Sequence, residues 1–270
     1  MAQPVKKQRV KPFSISPNPS YLYLTPALQS VLEKCRYVID DRQGLTVITG
    51  DVGMGKSTVL RYLWSEYSLR DDTVTSLMPT PTYPTDFSFL KALSGDLKLN
   101  ARRSLVDQED ELRVFMMNCF SEEKNVVVFI DEAQKLTGRQ LEMVRVLLNF
   151  ETNSEKLVQI VLAGQIELRH KLADKSKKAL RSRILVPSLL TTLSPSETAD
   201  MLRFRCQQAG VPFTFTPEAI NQLYVRSNGI PRDILKAAGL CFRLAAGGEI
   251  SVDLVEHAFA EGAMDEGDEK

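Results

Sequence analysis

LTVITGDVGMGKST, residues 45–58, is the stretch whose reading decides the fold. Its second part fits G-x-x-x-x-G-K-[ST] at Gly50, Gly55, Lys56 and Ser57. Ahead of it, residues 45–49 are apolar and β-branched, as in a buried strand; behind it, Val59, Leu60, Leu63 and Trp64 recur at helical spacing. Strand, glycine loop and helix together make a phosphate-binding loop. The glycines let backbone N–H groups turn inward around phosphates, and the helix N-terminus adds positive potential. On this reading Gly50, Asp51, Val52, Gly53, Met54, Gly55, Lys56, Ser57 and Thr58 wrap the phosphates of ATP. Lys56 reaches the β/γ-phosphates and the Ser57 hydroxyl ligates Mg²⁺.

NVVVFIDE, residues 125–132, supplies the second half of such a site. Val126 to Ile130 is an unbroken apolar run, as in a central parallel strand covered on both faces. It ends in Asp131 and Glu132, an arrangement that packing alone disfavours, because unpaired buried carboxylates are costly. A Mg²⁺-holding Asp131 and a water-polarising Glu132 explain both residues. Glycine loop first, then a strand ending in Asp-Glu, is the order of a P-loop ATPase.

The 270 residues are 43% apolar and 25% charged, ordinary for a globular chain of one or two domains. No apolar run reaches the length of a membrane span, and the first residues lack the apolar core of a signal peptide, so a cytoplasmic protein without membrane insertion is expected. Cys35, Cys119, Cys206 and Cys241 are scattered and read as reduced core residues. Net charge is zero but unevenly spread: Lys6, Lys7, Arg9 and Lys11 form a basic arm, and Asp265, Glu266, Asp268 and Glu269 an acidic tail. Such ends are either solubilising or, for the arm, a contact to nucleic acid phosphates.

Residues 12–26 hold four prolines and three aromatics and read as extended. A helix from Pro26 to Ile39 follows. Strands are expected at 74–78, 157–163 and 185–190, and helices near 87–97, 108–120 and 138–150. Lys98, Arg102 and Arg103 form a basic link between the first two of these helices. The alternation describes a parallel sheet flanked by helices. From residue 193 the strands stop. Ser194-Pro195-Ser196-Glu197 is a capping box with proline at N1, Thr216-Pro217 opens a second helix, and helices over 231–246 and 251–259 complete a small all-helical domain. The expected division is an N-terminal arm and helix over 1–43, an α/β nucleotide-binding domain over 44–192, a helical lid over 193–262 and the acidic tail over 263–270.

The segments PFSISPNPSYLYLTP, GDVGMGKST, VVVFIDEAQKL, LLNFETNSEKLVQIVLAGQIELRHKL, LRSRI and SNGIPRDI resemble the ATPase domain of the ExeA/GspA-type AAA+ proteins over residues 12 to 260. The chain departs from full-length secretion members in lacking their membrane anchor and peptidoglycan-binding part. Stand-alone relatives include soluble pilus or secretion ATPases and the TniB, TnsC and MuB target-selection ATPases of transposition. The resemblance implies that Gln165 is sensor 1, although a polar strand terminus explains it too. It implies an arginine finger at Arg183 or Arg181, reaching the neighbouring subunit's nucleotide. It makes Arg232, after Pro231, sensor 2, and it implies that Pro12, Phe13, Tyr23 and Leu24 enclose adenine, unless they are ordinary core residues.

Two functions compete. The first is an AAA+ ATPase that assembles with ATP as a ring or filament on double-stranded DNA, without sequence specificity, and recruits a transposase. The basic arm, Arg102 and Arg103, and Lys175, Lys177 and Lys178 favour it. The alternative is a soluble accessory ATPase of a secretion or pilus system acting on protein partners.

Overall fold

The computed structural model describes residues 11–264, so Lys6, Lys7, Arg9 and the acidic tail lie outside the described residues. The chain divides into two compact units. One is Leu24–Thr191; the other joins the residues up to Tyr23 to those from Thr192 onward.

The first unit is built in chain order from α1 (Pro26–Asp40), β1 (Leu45–Thr49), α2 (Lys56–Ser68), β2 (Thr73–Met78), α3 (Asp86–Asp96), α4 (Leu105–Ser121), β3 (Asn125–Ile130), α5 (Gly138–Leu147), β4 (Val158–Gly164), α6 (Ile166–Ala173), α7 (Lys178–Arg181) and β5 (Ile184–Leu189). The five strands described form one parallel sheet in the order β2-β3-β4-β1-β5. Every residue of β1, β3 and β4 is buried, the continuous apolar character that a parallel sheet covered on both sides demands.

The period of two sorts the strand residues between two helix layers. Val47, Val126, Val128, Ile130, Ile160 and Leu162 share a core with Phe89, Leu93, Leu112, Leu141 and Leu168 of α3 to α6. The opposite set meets α1 and α2: the Phe129 and Tyr67 rings lie 6.5 Å apart, and Thr46 lies beside the Cys35 thiol. β5 differs from the central strands. It pairs only with β1, carries Pro187 and skips a register position between Ile184 and Val186, features suited to an edge strand. At the other edge, the Leu77 N–H of β2 donates to the Asp96 carboxylate at 2.9 Å, which blunts that edge for further pairing.

The second unit contains α8 (Pro195–Ala209), α9 (Pro217–Ser227), α10 (Pro231–Leu244) and α11 (Val252–Met264). Ser194 and Glu197 form the expected capping box, and Thr216 caps α9. The segment before residue 24 packs here. Phe13 is 5% exposed, its ring met edge-on by Phe215 and Phe242 at 5.6 Å each. Arg205 of α8, nearly buried, donates to the carbonyls of Pro12 and Ser14 at 3.3 and 3.0 Å, and burial lowers its pKa to about 10. Residues 12–26 are not extended throughout. Asn18 accepts from the Ser20 N–H and starts a 3₁₀ turn over Pro19–Tyr21, side-chain capping that proline counting missed.

The four cysteines are free and buried, two in each unit. Burial pushes the Cys35 thiol up to about 12 and those of Cys206 and Cys241 to about 11, and it raises that of Cys119.

Candidate nucleotide site

The sheet order carries the site. β4 lies between β1 and β3, so the loop after β1, the carboxylates after β3 and Gln165 after β4 all emerge at the C-terminal ends of neighbouring strands. Gly53 and Gly55 hold φ of +85° and +87°, the left-handed region where a Cβ is penalised. Gly55 is the N-cap of α2, and Lys56 is the first residue of that helix. The loop itself needs no ligand to hold Lys56 in place, because its ammonium donates to the Gly50 and Asp51 carbonyls at 2.9 and 2.7 Å. Lys56 is 6% exposed, whereas Asp51 and Val52 are on the surface.

Asp131 is also 6% exposed and sits within hydrogen-bonding reach of the Ser57 hydroxyl. Its pKa is raised, chiefly by burial; the Ser57 and Glu132 N–H bonds oppose that shift without cancelling it. Two oxygen donors, one of them a carboxylate held above its usual range by desolvation, suit a hard divalent cation that keeps waters and phosphate oxygens as its other ligands. Ser57 and Asp131 would hold the Mg²⁺ of MgATP.

Glu132 adopts φ of +51°, a left-handed conformation that is costly for a non-glycine residue and concentrates at functional sites. Its carboxylate accepts from the Gln134 side-chain amide at 2.9 Å, and Lys135 lies 3.6 Å away. Gln165 is the N-cap of α6 and half-buried, its backbone N–H donating to Gln134 Oε1 at 3.1 Å. Gln134 escaped the sequence reading, because nothing in DEAQKL says that its third polar residue folds back on β4.

The remaining candidates are spread over both units. Arg181 donates to the Ala173 carbonyl at 3.0 Å; Arg183 donates to the Ala179 carbonyl at 2.9 Å and to Asn149 at 2.6 Å. Arg232 is exposed at the start of α10, after Pro231 at N1. Tyr23 and Leu24 are half-buried, Tyr23 beside Phe204, whereas Pro12 and Phe13 are buried, Phe13 in the core of the helical unit. Arg102 is ion-paired with Glu111, and it and Arg103 line a cavity of about 490 Å³ together with Asp107 and Asp110. That surface is electrically mixed, not basic.

A family profile described as an AAA domain matches residues 39–172. General secretion pathway protein A of Aeromonas hydrophila is 37% identical over 224 residues, 82% of this chain. The chain spans 40% of that relative's length. Among solved structures, the Aeropyrum pernix ORC2 protein in its ADPNP-ADP complexes superposes with a TM-score of 0.67 at 17% identity, covering 94% of this chain and 72% of that one. Cdc6p of Pyrobaculum aerophilum gives 0.67 at 15%, covering 93% and 70%. The Thermotoga maritima RuvB Holliday junction branch migration motor gives 0.54 at 16%, covering 86% and 68%. At such identities these structures share the fold of this chain. Among the described residues no helix is long and apolar enough to cross a membrane.

Proposed function

Because this chain belongs to the AAA+ P-loop ATPases of the ExeA/GspA type, we propose that it binds MgATP on residues 50–58 and hydrolyses it with Glu132. The observation that carries the reading is the pairing of buried Asp131, after β3, with half-buried Ser57 in the first turn of α2, beside Lys56. When bound, Mg²⁺ neutralises charge on the β- and γ-phosphate oxygens. Lys56 orients the same phosphates, and Glu132 polarises the attacking water. An arginine from a second copy of the chain, Arg183 or Arg181, stabilises charge in the transferring phosphoryl group. Gln165, just after β4, reads the γ-phosphate, and Arg232 at the start of α10 is the sensor 2 residue by resemblance.

For the work that hydrolysis drives, we retain double-stranded DNA as the platform and a transposase as the partner. Residues 166–183 support this reading better than Arg102 and Arg103, because seven Lys and Arg there stand against two carboxylates. Lys177 there donates to the Gly138 carbonyl rather than to a carboxylate, and Lys175 and Lys178 are exposed, so the charge of these lysines is open to phosphates. The second reading, an accessory ATPase acting on protein partners in secretion, is favoured by the 37% identity to General secretion pathway protein A.

One pair of variants tests both levels. Lys56→Ala is expected to lose nucleotide binding, whereas Glu132→Gln keeps it and hydrolyses at least about 100-fold more slowly. The ATP-loaded Glu132→Gln protein is then titrated into labelled duplex. Retardation that needs ATP and falls steeply with salt supports the DNA reading. Wild-type turnover by Glu132→Gln would overturn the active-site assignment, and no retardation by an assembled preparation would transfer the weight to secretion.

A further inference from the structure

The side chain of Gln134 joins two of the strand ends that build the site. Its Nε2 donates to Glu132 Oε2 at 2.9 Å, while its Oε1 accepts the Gln165 N–H at 3.1 Å. The amide has a single workable orientation. Turning it over would set oxygen against carboxylate and NH₂ against N–H, losing both bonds.

The surroundings hold this bridge from several sides. Residues 133–135 form a 3₁₀ turn closed by the Lys135 N–H on the Glu132 carbonyl at 2.8 Å. Lys171 of α6 donates to the Gln134 and Leu136 carbonyls, pinning the turn from outside. On the inner side Gly164 leaves the necessary room: a Cβ there would lie 3.0 Å from Gln134 Oε1 and 2.8 Å from Leu168 Cδ2. Both the amide and the Lys135 ammonium address Oε2 of Glu132. Oε1 is thereby left as the oxygen to receive a water.

We propose that Gln134 is a positioning residue for hydrolysis, setting the rotamer of Glu132 and tying it to the N-terminus of α6. This rests on the assignment of Glu132 as the group that polarises the attacking water. Gln134 contributes to the chemical step through Glu132 and not to nucleotide affinity, because both its bonds are made to the chain itself. A bridge of this kind also makes the position of the catalytic carboxylate depend on α6, which leads into the segment that holds Arg181 and Arg183.

The test is steady-state hydrolysis by the full chain with Gln134→Ala, Gln134→Glu, Glu132→Gln and the Gln134→Ala/Glu132→Gln double variant. Affinity for a non-hydrolysable ATP analogue is measured for each. Gln134→Ala is expected to lower kcat about 10- to 100-fold with KM and analogue affinity unchanged, the scale of a misplaced catalytic group. Gln134→Glu keeps the acceptor for the Gln165 N–H but puts a carboxylate where the donor was, so it should lose at least as much. In the Glu132→Gln background the Gln134→Ala change should cost nothing further, because its effect passes through Glu132. Wild-type kcat in Gln134→Ala, or the same fold loss with and without Glu132, overturns the proposal. If Gln134→Ala does not fold, Gln134→Glu and its own double variant with Glu132→Gln decide by the same criteria. Failure of the underlying reading looks different: Glu132→Gln itself would then turn over ATP at the wild-type rate.

Discussion

Asp131 shows how a site residue costs stability. Its pKa is raised by burial, so its ionised form is disfavoured in the nucleotide-free fold. A carboxyl raised on folding contributes stability that is full below its unfolded pKa and is lost as pH rises through the folded one. Above the folded-state pKa that contribution is gone, and there Asp131→Asn is expected to raise the melting temperature of the nucleotide-free protein, by roughly 2–4 °C for each kcal/mol recovered. The gain should shrink on acidification, and Mg²⁺-dependent nucleotide binding should weaken in the same variant. Melting curves from roughly pH 5 to 8 check the sign; a variant no more stable than wild type across that range would show that desolvation does not govern Asp131. At this scale the sequence was informative wherever a residue's role is set by its neighbours along the chain. The positions of Gly55, Lys56, Ser57, Asp131 and Glu132 just after strand ends were legible because a strand places each at a fixed offset. Gln134 was not, since its partner Gln165 is 31 residues away and only β3–β4 pairing brings the two together.

Among elements, punctuation was the most readable signal. Ser194-Pro195-Ser196-Glu197 opens α8 as read, and Gly210 closes it at φ +64°. α6 and α7 went unread. Leu168 and Leu172 are the buried residues of α6 and Leu180 that of α7, too few apolar positions in a basic stretch to reveal a period. The same holds for the sheet order, since the placing of β1 between β4 and β5 depends on packing between segments far apart in the chain. Helix endings also differ in what they tolerate. At Gly229, with φ +71°, a Cβ would stand 2.3 Å from the Leu193 carbonyl, whose own N–H donates to the Gly229 carbonyl at 2.9 Å. At Gly210, also left-handed, a Cβ meets nothing within 4 Å. Gly210→Ala should therefore cost only the left-handed penalty of about 1–2 kcal/mol. Gly229→Ala should cost clearly more, because the backbone between α9 and α10 must also move. Thermal or urea unfolding of the two variants compares them directly, and equal losses would mean that the Leu193 contact relaxes without cost.

For the molecule as a whole, the proposed arginine finger makes activity a property of an assembly. Arg183 is occupied by Asn149 and the Ala179 carbonyl within its own chain, so its use by a neighbour requires those bonds to be given up. Specific activity should rise with protein concentration. A mixture of Arg183→Ala and Lys56→Ala proteins, each inactive alone, should recover part of the wild-type rate, since one interface then combines an intact loop with an intact finger. Constant activity per chain down to a demonstrated monomer would exclude the arrangement, and recovery with Arg181→Ala in place of Arg183→Ala would reassign the finger. The buried thiols have a separate consequence. Cys35 and Cys119 sit in the sheet unit, Cys206 and Cys241 in the helical one, and each is shielded and kept protonated. An alkylating reagent can therefore reach them only through opening of the unit that holds them. Mass-resolved alkylation of the unaltered chain thus gives two native chronometers, one timing the breathing of the sheet unit and the other that of the helical unit.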